Sequence, residues 1–221
     1  LHRRDYRETS RILTCFTRDY GRIDMICKGC RKAGKSQKIV EPFRHYRLTW
    51  AGRSDLKTLV NVDELQVPVF PGEADRLYCA FYLNELLSGV IRFAESDPAL
   101  FDLYHNALQA LANHGGSSVQ HILRHFELNM IQAMGYGISL QYEADGVTAI
   151  HPEENYGLRP DHGFYKTSAN NELLARGDSI LALSDGKPMS SRQERDSRNI
   201  TRMLISYYLP HTEIQSRKLF K

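Results

Sequence analysis

Nowhere in the 221 residues is there a phosphate loop, a dinucleotide fingerprint or a nucleophile elbow. ATP-driven, dinucleotide-dependent and serine-hydrolase chemistry therefore have no support in the sequence. Long apolar runs are also missing. Stretches such as Met203-Leu204-Ile205 fall far short of the ~20 residues a membrane-spanning helix needs. No secretory leader pattern opens the chain, so a cytoplasmic location with no membrane partner is expected. The first residue is Leu1, and a short preceding piece and an incomplete first strand are expected with it. Cysteine is scarce: Cys15, Cys27, Cys30 and Cys79 are the whole supply, with none in residues 138–188. Cys27-Lys28-Gly29-Cys30 has the spacing of half a zinc site but no second pair to complete it. Cys27 reads instead as a small core residue in register with a strand. There is no internal repeat and no low-complexity tract.

One local absence is more informative. From Lys28 to Lys38 the chain has no acid, while Lys28, Arg31, Lys32, Lys35 and Lys38 crowd onto a backbone of small residues. Such self-repulsion is costly unless solvent or a polyanion absorbs it. The run lies between segments that read as strands and is expected to form a hairpin tip touching phosphate. The wider charge distribution agrees. Residues 1–72 hold 15 Lys and Arg against 8 Asp and Glu, a net +7, whereas residues 73–221 hold 14 against 18, a net −4. The first part is the better candidate for holding nucleic acid.

Strand patterns occupy that first part: Arg11 to Thr17, the alternating Gly21 to Cys27, Tyr46 to Trp50, and Lys57 to Val62. Turn signals at Asp19-Tyr20-Gly21 and Ala51-Gly52-Arg53-Ser54-Asp55 separate them. Four or five short strands in so few residues must close on themselves or expose edges, so a small barrel over residues 1–72 is expected. From Glu73 the period becomes helical, with Leu77, Phe81, Leu86 or Leu87 and Val90 or Ile91 as the stripe. A second helix starts at Asp97-Pro98, and a third runs from Ser117 or Ser118 to Gly135. Residues 138–188 form an irregular insertion in which Gly163-Phe164-Tyr165-Lys166 suggests a small hairpin. A last helix spans 189–209, where Ser191 with Glu194 reads as a capping box and Pro210 as a stop. The class is therefore α+β, with a helical domain over residues 73–221.

Catalytic patterns are weak. His121 and His125 stand one helical turn apart but lack the Glu that a zinc protease uses as base, so they read as surface or packing histidines. Asp55-Leu56-Lys57 with Glu41 echoes a metal-dependent nuclease but needs a further carboxylate to hold magnesium. A binding role explains more residues. Small five-stranded barrels hold single strands with a basic groove and stacking aromatics. The candidates for the groove are Arg22, Lys28, Arg31, Lys32, Lys35, Lys38, Arg44, Arg53 and Lys57. Those for stacking are Tyr6, Tyr20, Tyr46 and Trp50, the last reading better as core. Two alternatives remain: an OB-fold RNA-binding protein and a metal-dependent nuclease.

The chain resembles the RecO family of bacterial recombination mediators. The matching stretches run along it in order: Leu1 to Ser10, Phe16-Thr17 with Gly21-Arg22, Lys28-Gly29-Cys30-Arg31, Glu41-Pro42-Phe43, and Gly52-Arg53 with Leu56-Lys57-Thr58-Leu59. They continue through Tyr82-Leu83-Asn84-Glu85-Leu86-Leu87, Leu123-Arg124-His125-Phe126-Glu127-Leu128, Gly135-Tyr136-Gly137 and Ser216-Arg217-Lys218-Leu219-Phe220. The resemblance implies an N-terminal OB-fold β-barrel followed by an α-helical domain. It also implies binding of single- and double-stranded DNA, strand annealing, association with RecR, and capture of the acidic C-terminal tail of single-stranded-DNA-binding protein (SSB) to help RecA load. It implies no enzymatic activity. Some relatives carry a cysteine zinc module after the Gly-Tyr-Gly segment. This chain has no Cys there, so no structural metal and no cofactor are expected. Cys30 stands where many relatives have Ala.

A pocket for the SSB tail needs an apolar cleft with arginine at its mouth. Arg124 on the third helix and Arg195, Arg198 and Arg202 on the last helix are the candidates, each also readable as a surface helix arginine in a local pair. A monomer is expected.

Overall fold

A computed structural model describes residues 1–30, 40–66, 70, 74–113, 118–169, 174–185 and 188–216. The chain packs as two compact units: Leu1–Asn113 with the segment from Ile214 onward, and His114–Glu213.

The first unit begins with five strands: β1 (His2–Tyr6), β2 (Ser10–Thr17), β3 (Gly21–Cys27), β4 (His45–Ala51) and β5 (Leu56–Gln66). They form one sheet in the order β1-β2-β3-β5-β4, antiparallel except for the parallel β3–β5 pair. Strict alternation in β3 buries Gly21, Ile23, Met25 and Cys27, as period-two patterning requires. Ile23, Met25 and Cys27 make the core of this sheet with Leu13, Cys30 and Leu59, flanked by Cys15, Val40, Leu48, Trp50 and Val62.

The α+β class stands, but among the described residues the sheet is open: β1 pairs with β2, β4 pairs with β5, and no ladder joins β1 to β4. Closure would need alternate apolar side chains on β1, and His2, Arg3, Arg4 and Asp5 are all exposed. The hairpin expected around Lys28–Lys38 is also corrected. β3 and β4 are not neighbours, because β5 lies between them. The strands flanking the basic run therefore do not pair with each other, residues 31–39 lie outside the described residues, and Val40 to Arg44 form no strand.

Two helices complete this unit, α1 (Ala74–Val90) and α2 (Pro98–Ala112). α1 buries Cys79, Ala80, Tyr82, Leu83, Asn84, Leu86 and Leu87. The expected stripe residue Phe81 is instead 39% exposed, its ring 4.9 Å edge-on from Phe43. Buried Asn84 is satisfied from both ends. Its Oδ1 accepts from the Tyr104 hydroxyl, and its Nδ2 donates to the Leu1 carbonyl at 3.0 Å. Burial pushes the Tyr104 phenol far above its ordinary pKa. Asp97 caps α2 by accepting the Leu100 N–H at 2.8 Å, with Pro98 in the first turn. At the other end Arg76 donates to the Leu111 and Asn113 carbonyls at 2.9 and 3.2 Å. The C-terminal segment returns here, the Ser216 N–H donating to the Glu85 carboxylate at 3.1 Å.

Gly21 begins β3 with φ +64, and an added Cβ would lie 2.0 Å from the Glu95 carbonyl oxygen. Strain and overlap act together there, so Gly21→Ala is expected to lose about 2–3 kcal/mol of stability in urea unfolding. Wild-type stability would show that the approach of residues 92–95 to β3 is not required.

The second unit has α3 (Val119–Ala133), β6 (Asn155–Arg159), β7 (Gly163–Lys166), β8 (Ala175–Arg176), α4 (Gly177–Asp185) and α5 (Ser191–Tyr208). The hairpin read at Gly163 is the β6–β7 pair, within a three-stranded sheet of order β7-β6-β8. Fully buried Tyr156 centres this region; its hydroxyl accepts the His151 N–H at 3.0 Å. α4 carries no start signal in the sequence because Gly177 opens it. There a Cβ would meet the His151 carbonyl at 1.9 Å, so glycine at this position reflects crowding rather than a helix break. The capping box of α5 is shifted by one residue: Ser190 and Gln193 form it, not Ser191 and Glu194. Among the described residues no helix is long and apolar enough to cross a membrane.

Candidate nucleic-acid interface

The nine cations proposed for phosphate contact fall into three groups. Arg31, Lys32, Lys35 and Lys38 lie outside the described residues. Arg22 and Arg44 are half-exposed and already engaged, Arg22 with Asp24 at 3.4 Å and Arg44 with Glu64 at 2.8 Å. Lys28, Arg53 and Lys57 have no ion-pair partner among the described residues. Lys28 follows β3 and is exposed, Arg53 sits in the exposed β4–β5 turn, and Lys57 on β5 lies beside Met25 in the parallel register. The β3–β5 pair thus sets Lys57 opposite Met25, three residues before Lys28 along the chain.

The aromatic candidates divide similarly. Tyr20 is 57% exposed and packs edge-on to Trp50 at 5.1 Å. Trp50 leans on the core, as expected from the sequence. The Tyr46 hydroxyl is occupied by the Glu41 N–H at 2.9 Å. Tyr20 and Trp50 border a cleft of about 540 Å³ that is also lined by Phe43, His45, Phe101 and His105. Partial burial, then the neighbouring His105, holds His45 below the usual imidazole pKa. At its rim Arg18 grips Asp102 through two bonds of 3.1 and 3.0 Å. This fork lowers the carboxyl pKa and raises that of the guanidinium. Cys27 and Cys30 are both core residues, the Cys30 thiol donating to the Cys27 carbonyl at 3.1 Å.

In the second unit Arg195, Arg198 and Arg202 are exposed along α5. Their spacing of three and four residues puts them on one face. Arg124 lies elsewhere: it is 6% exposed, donating to the Thr201 hydroxyl and the Glu127 carboxylate at 2.9 Å each. A separate cavity of about 360 Å³, bordered by His121, His125, Ile138, Leu183, Asp185 and Leu204, was not read from sequence. Its lining comes from three helices and a loop, and no single segment carries a signal for it.

Comparison with known proteins accounts for nearly the whole length. The family model "Recombination protein O N terminal" matches residues 1–67 and "Recombination protein O C terminal" matches residues 71–218. The chain is 36% identical to the DNA repair protein RecO of Methylococcus capsulatus, over 100% of this chain and 90% of that protein. It is 34% identical to RecO of Vibrio atlanticus, again over 100% and 90% of the two chains. RecO of Actinobacillus pleuropneumoniae matches at 32% identity over 100% of this chain and 92% of its own length. With both domain models matched in order and relatives aligned end to end, the chain belongs to the RecO family of DNA repair proteins.

Proposed function

We propose that this protein is a recombination mediator that acts by binding rather than by catalysis. It holds single- and double-stranded DNA by the phosphates, anneals complementary strands and, with RecR, helps RecA load on SSB-coated DNA. The observation that carries this reading is the group Lys28, Arg53 and Lys57. These cations have no ion-pair partner among the described residues: Lys28 opens the acid-free run at the end of β3, Arg53 is exposed in the β4–β5 turn, and Lys57 lies beside Met25 of β3. Cations left without protein partners are available to phosphate, and binding by phosphate alone is tolerant of sequence. Two strands neutralised in this way no longer repel each other, so bases can find complements without bond chemistry. Arg195, Arg198 and Arg202 supply cations for the acidic SSB tail. The protein acts as a monomer on nucleoid DNA in the cytoplasm.

The test is fluorescence-monitored annealing of complementary oligonucleotides across a salt series, with and without SSB. Acceleration that fades as salt rises, and that persists on SSB-coated strands, is the expected result. No acceleration at any salt would remove the mediator reading. Tighter binding of RNA than of DNA, or cleavage of labelled DNA with magnesium, would replace it.

A further inference from the structure

At the end of α3 the chain turns on Gly135 (φ +88). The Tyr136 N–H reaches back to the Ile131 carbonyl at 3.1 Å, and the Gly135 N–H to that of Gln132 at 2.9 Å. This double bond pattern closes a helix end rigidly, and it fixes where Tyr136 projects. Tyr136 then lies parallel to Tyr208, with ring centroids 4.5 Å apart and an interplanar angle of 11°. Tyr207 meets Tyr208 edge-on at 5.0 Å. The Tyr208 hydroxyl donates to the Pro160 carbonyl at 2.6 Å, so both partners in the stack are held. Tyr208 is the inner ring, whereas Tyr136 and Tyr207 are 49% and 52% exposed. Next to Pro160, exposed Arg159 lies 4.7 Å over the Tyr165 ring. The nearby acid, Asp161, is engaged by His162 at 2.9 Å. Neither phosphate contact nor the SSB tail has been assigned to these residues.

We infer that the Tyr136–Tyr208 stack with edge-on Tyr207, and Arg159 next in sequence to the Pro160 that holds Tyr208, is a second contact for single-stranded DNA, in which an unpaired base continues the stack on Tyr136. Every base presents a π-face, so an aromatic ring held in place binds bases of any sequence. Preorganisation removes the ordering cost that a mobile tyrosine would incur. Arg159 supplies a cation for the adjoining phosphate. The inference rests on the proposed DNA-binding role and adds to it a site that works by stacking rather than by charge.

The two kinds of contact separate experimentally. Binding of a fluorescein-labelled oligo(dT) to the full chain is measured at several salt concentrations for the unmodified protein, Tyr136→Ala and Tyr136→Phe. Tyr136→Ala is expected to weaken binding about tenfold at every salt, with an unchanged salt slope, because stacking releases no counterions. Tyr136→Phe, which keeps the ring, is expected to bind as the unmodified chain does. Photo-crosslinking of a 5-iododeoxyuridine oligonucleotide is expected to label Tyr136. Equal affinity of Tyr136→Ala overturns the inference, as does a Phe variant as weak as Ala. Tyr136→Ala losing only affinity for an SSB-tail peptide overturns it in favour of a protein interface. Failure of the unmodified chain to bind oligo(dT) at low salt would instead sink the DNA-binding role itself.

Discussion

Arg124→Ala is expected to destabilise the second unit by about 3–5 kcal/mol, measured by urea or thermal unfolding. Arg124 is 6% exposed and Glu127 is 0% exposed, joined at 2.9 Å within α3. The guanidinium also donates to Thr201 of α5, which is itself buried. Removing the cation leaves a carboxylate in the interior without its counter-charge. Breaking a buried pair from one side costs about 3–5 kcal/mol, much more than the pair contributes when whole. Replacing both partners, as Arg124→Met with Glu127→Leu, is therefore expected to recover most of the loss. A single-variant loss below about 1 kcal/mol, the scale of an exposed pair, would show that the pair is solvated. The consequence for SSB binding is practical. Weak tail binding by Arg124→Ala would report unfolding as readily as a lost contact, so exposed Arg195, Arg198 and Arg202 are the cleaner substitutions.

Replacing Arg31, Lys32, Lys35 and Lys38 together with Ala is expected to weaken DNA binding for every sequence and to flatten its salt dependence. Each phosphate contact on a single strand contributes about 0.7 to the slope of log affinity against log salt. Four lost contacts lower that slope by roughly 3, so between 50 and 200 mM salt the unmodified chain should lose roughly 50-fold more affinity than the variant. Lys28, Arg53 and Lys57 remain in the variant and should sustain residual binding. Unchanged affinity at low salt would exclude the run from the interface, whatever the other cations do. Reduced affinity with an unchanged slope would mean that the run shapes the site without touching phosphate.

Some of this was legible in the sequence because local physics dictates it. Alternation marked β3, Asp97-Pro98 marked the start of α2, and Gly135 marked the end of α3. Spacing alone puts the α5 capping box one residue late, because Ser190 and Ser191 are equivalent by type and only the backbone turn selects between them. Spacing places Phe81 on the buried face of α1, yet it packs against Phe43 near the surface. α1 is apolar around most of its circumference, so periodicity marks no single stripe. Pairing partners lie further from local physics still. Nothing between Lys28 and Tyr46 announces that β5 inserts next to β3, since a parallel neighbour is chosen by long-range packing.

The sequence by itself determined the charge asymmetry, the change from strands to helices after about residue 72, and a family pattern spread along the whole chain, because composition, periodicity and residue identity are properties of the chain read in order. The tertiary structure decided what each charge is available for. It sank Arg124 against Glu127, spent Arg22 and Arg44 on neighbouring carboxylates, and left Lys28, Arg53 and Lys57 without a partner among the described residues. Burial and pairing depend on which distant segment comes to lie alongside, and Coulomb energies change several-fold between solvent and interior. The same residue types therefore become structural or functional only once the fold is made.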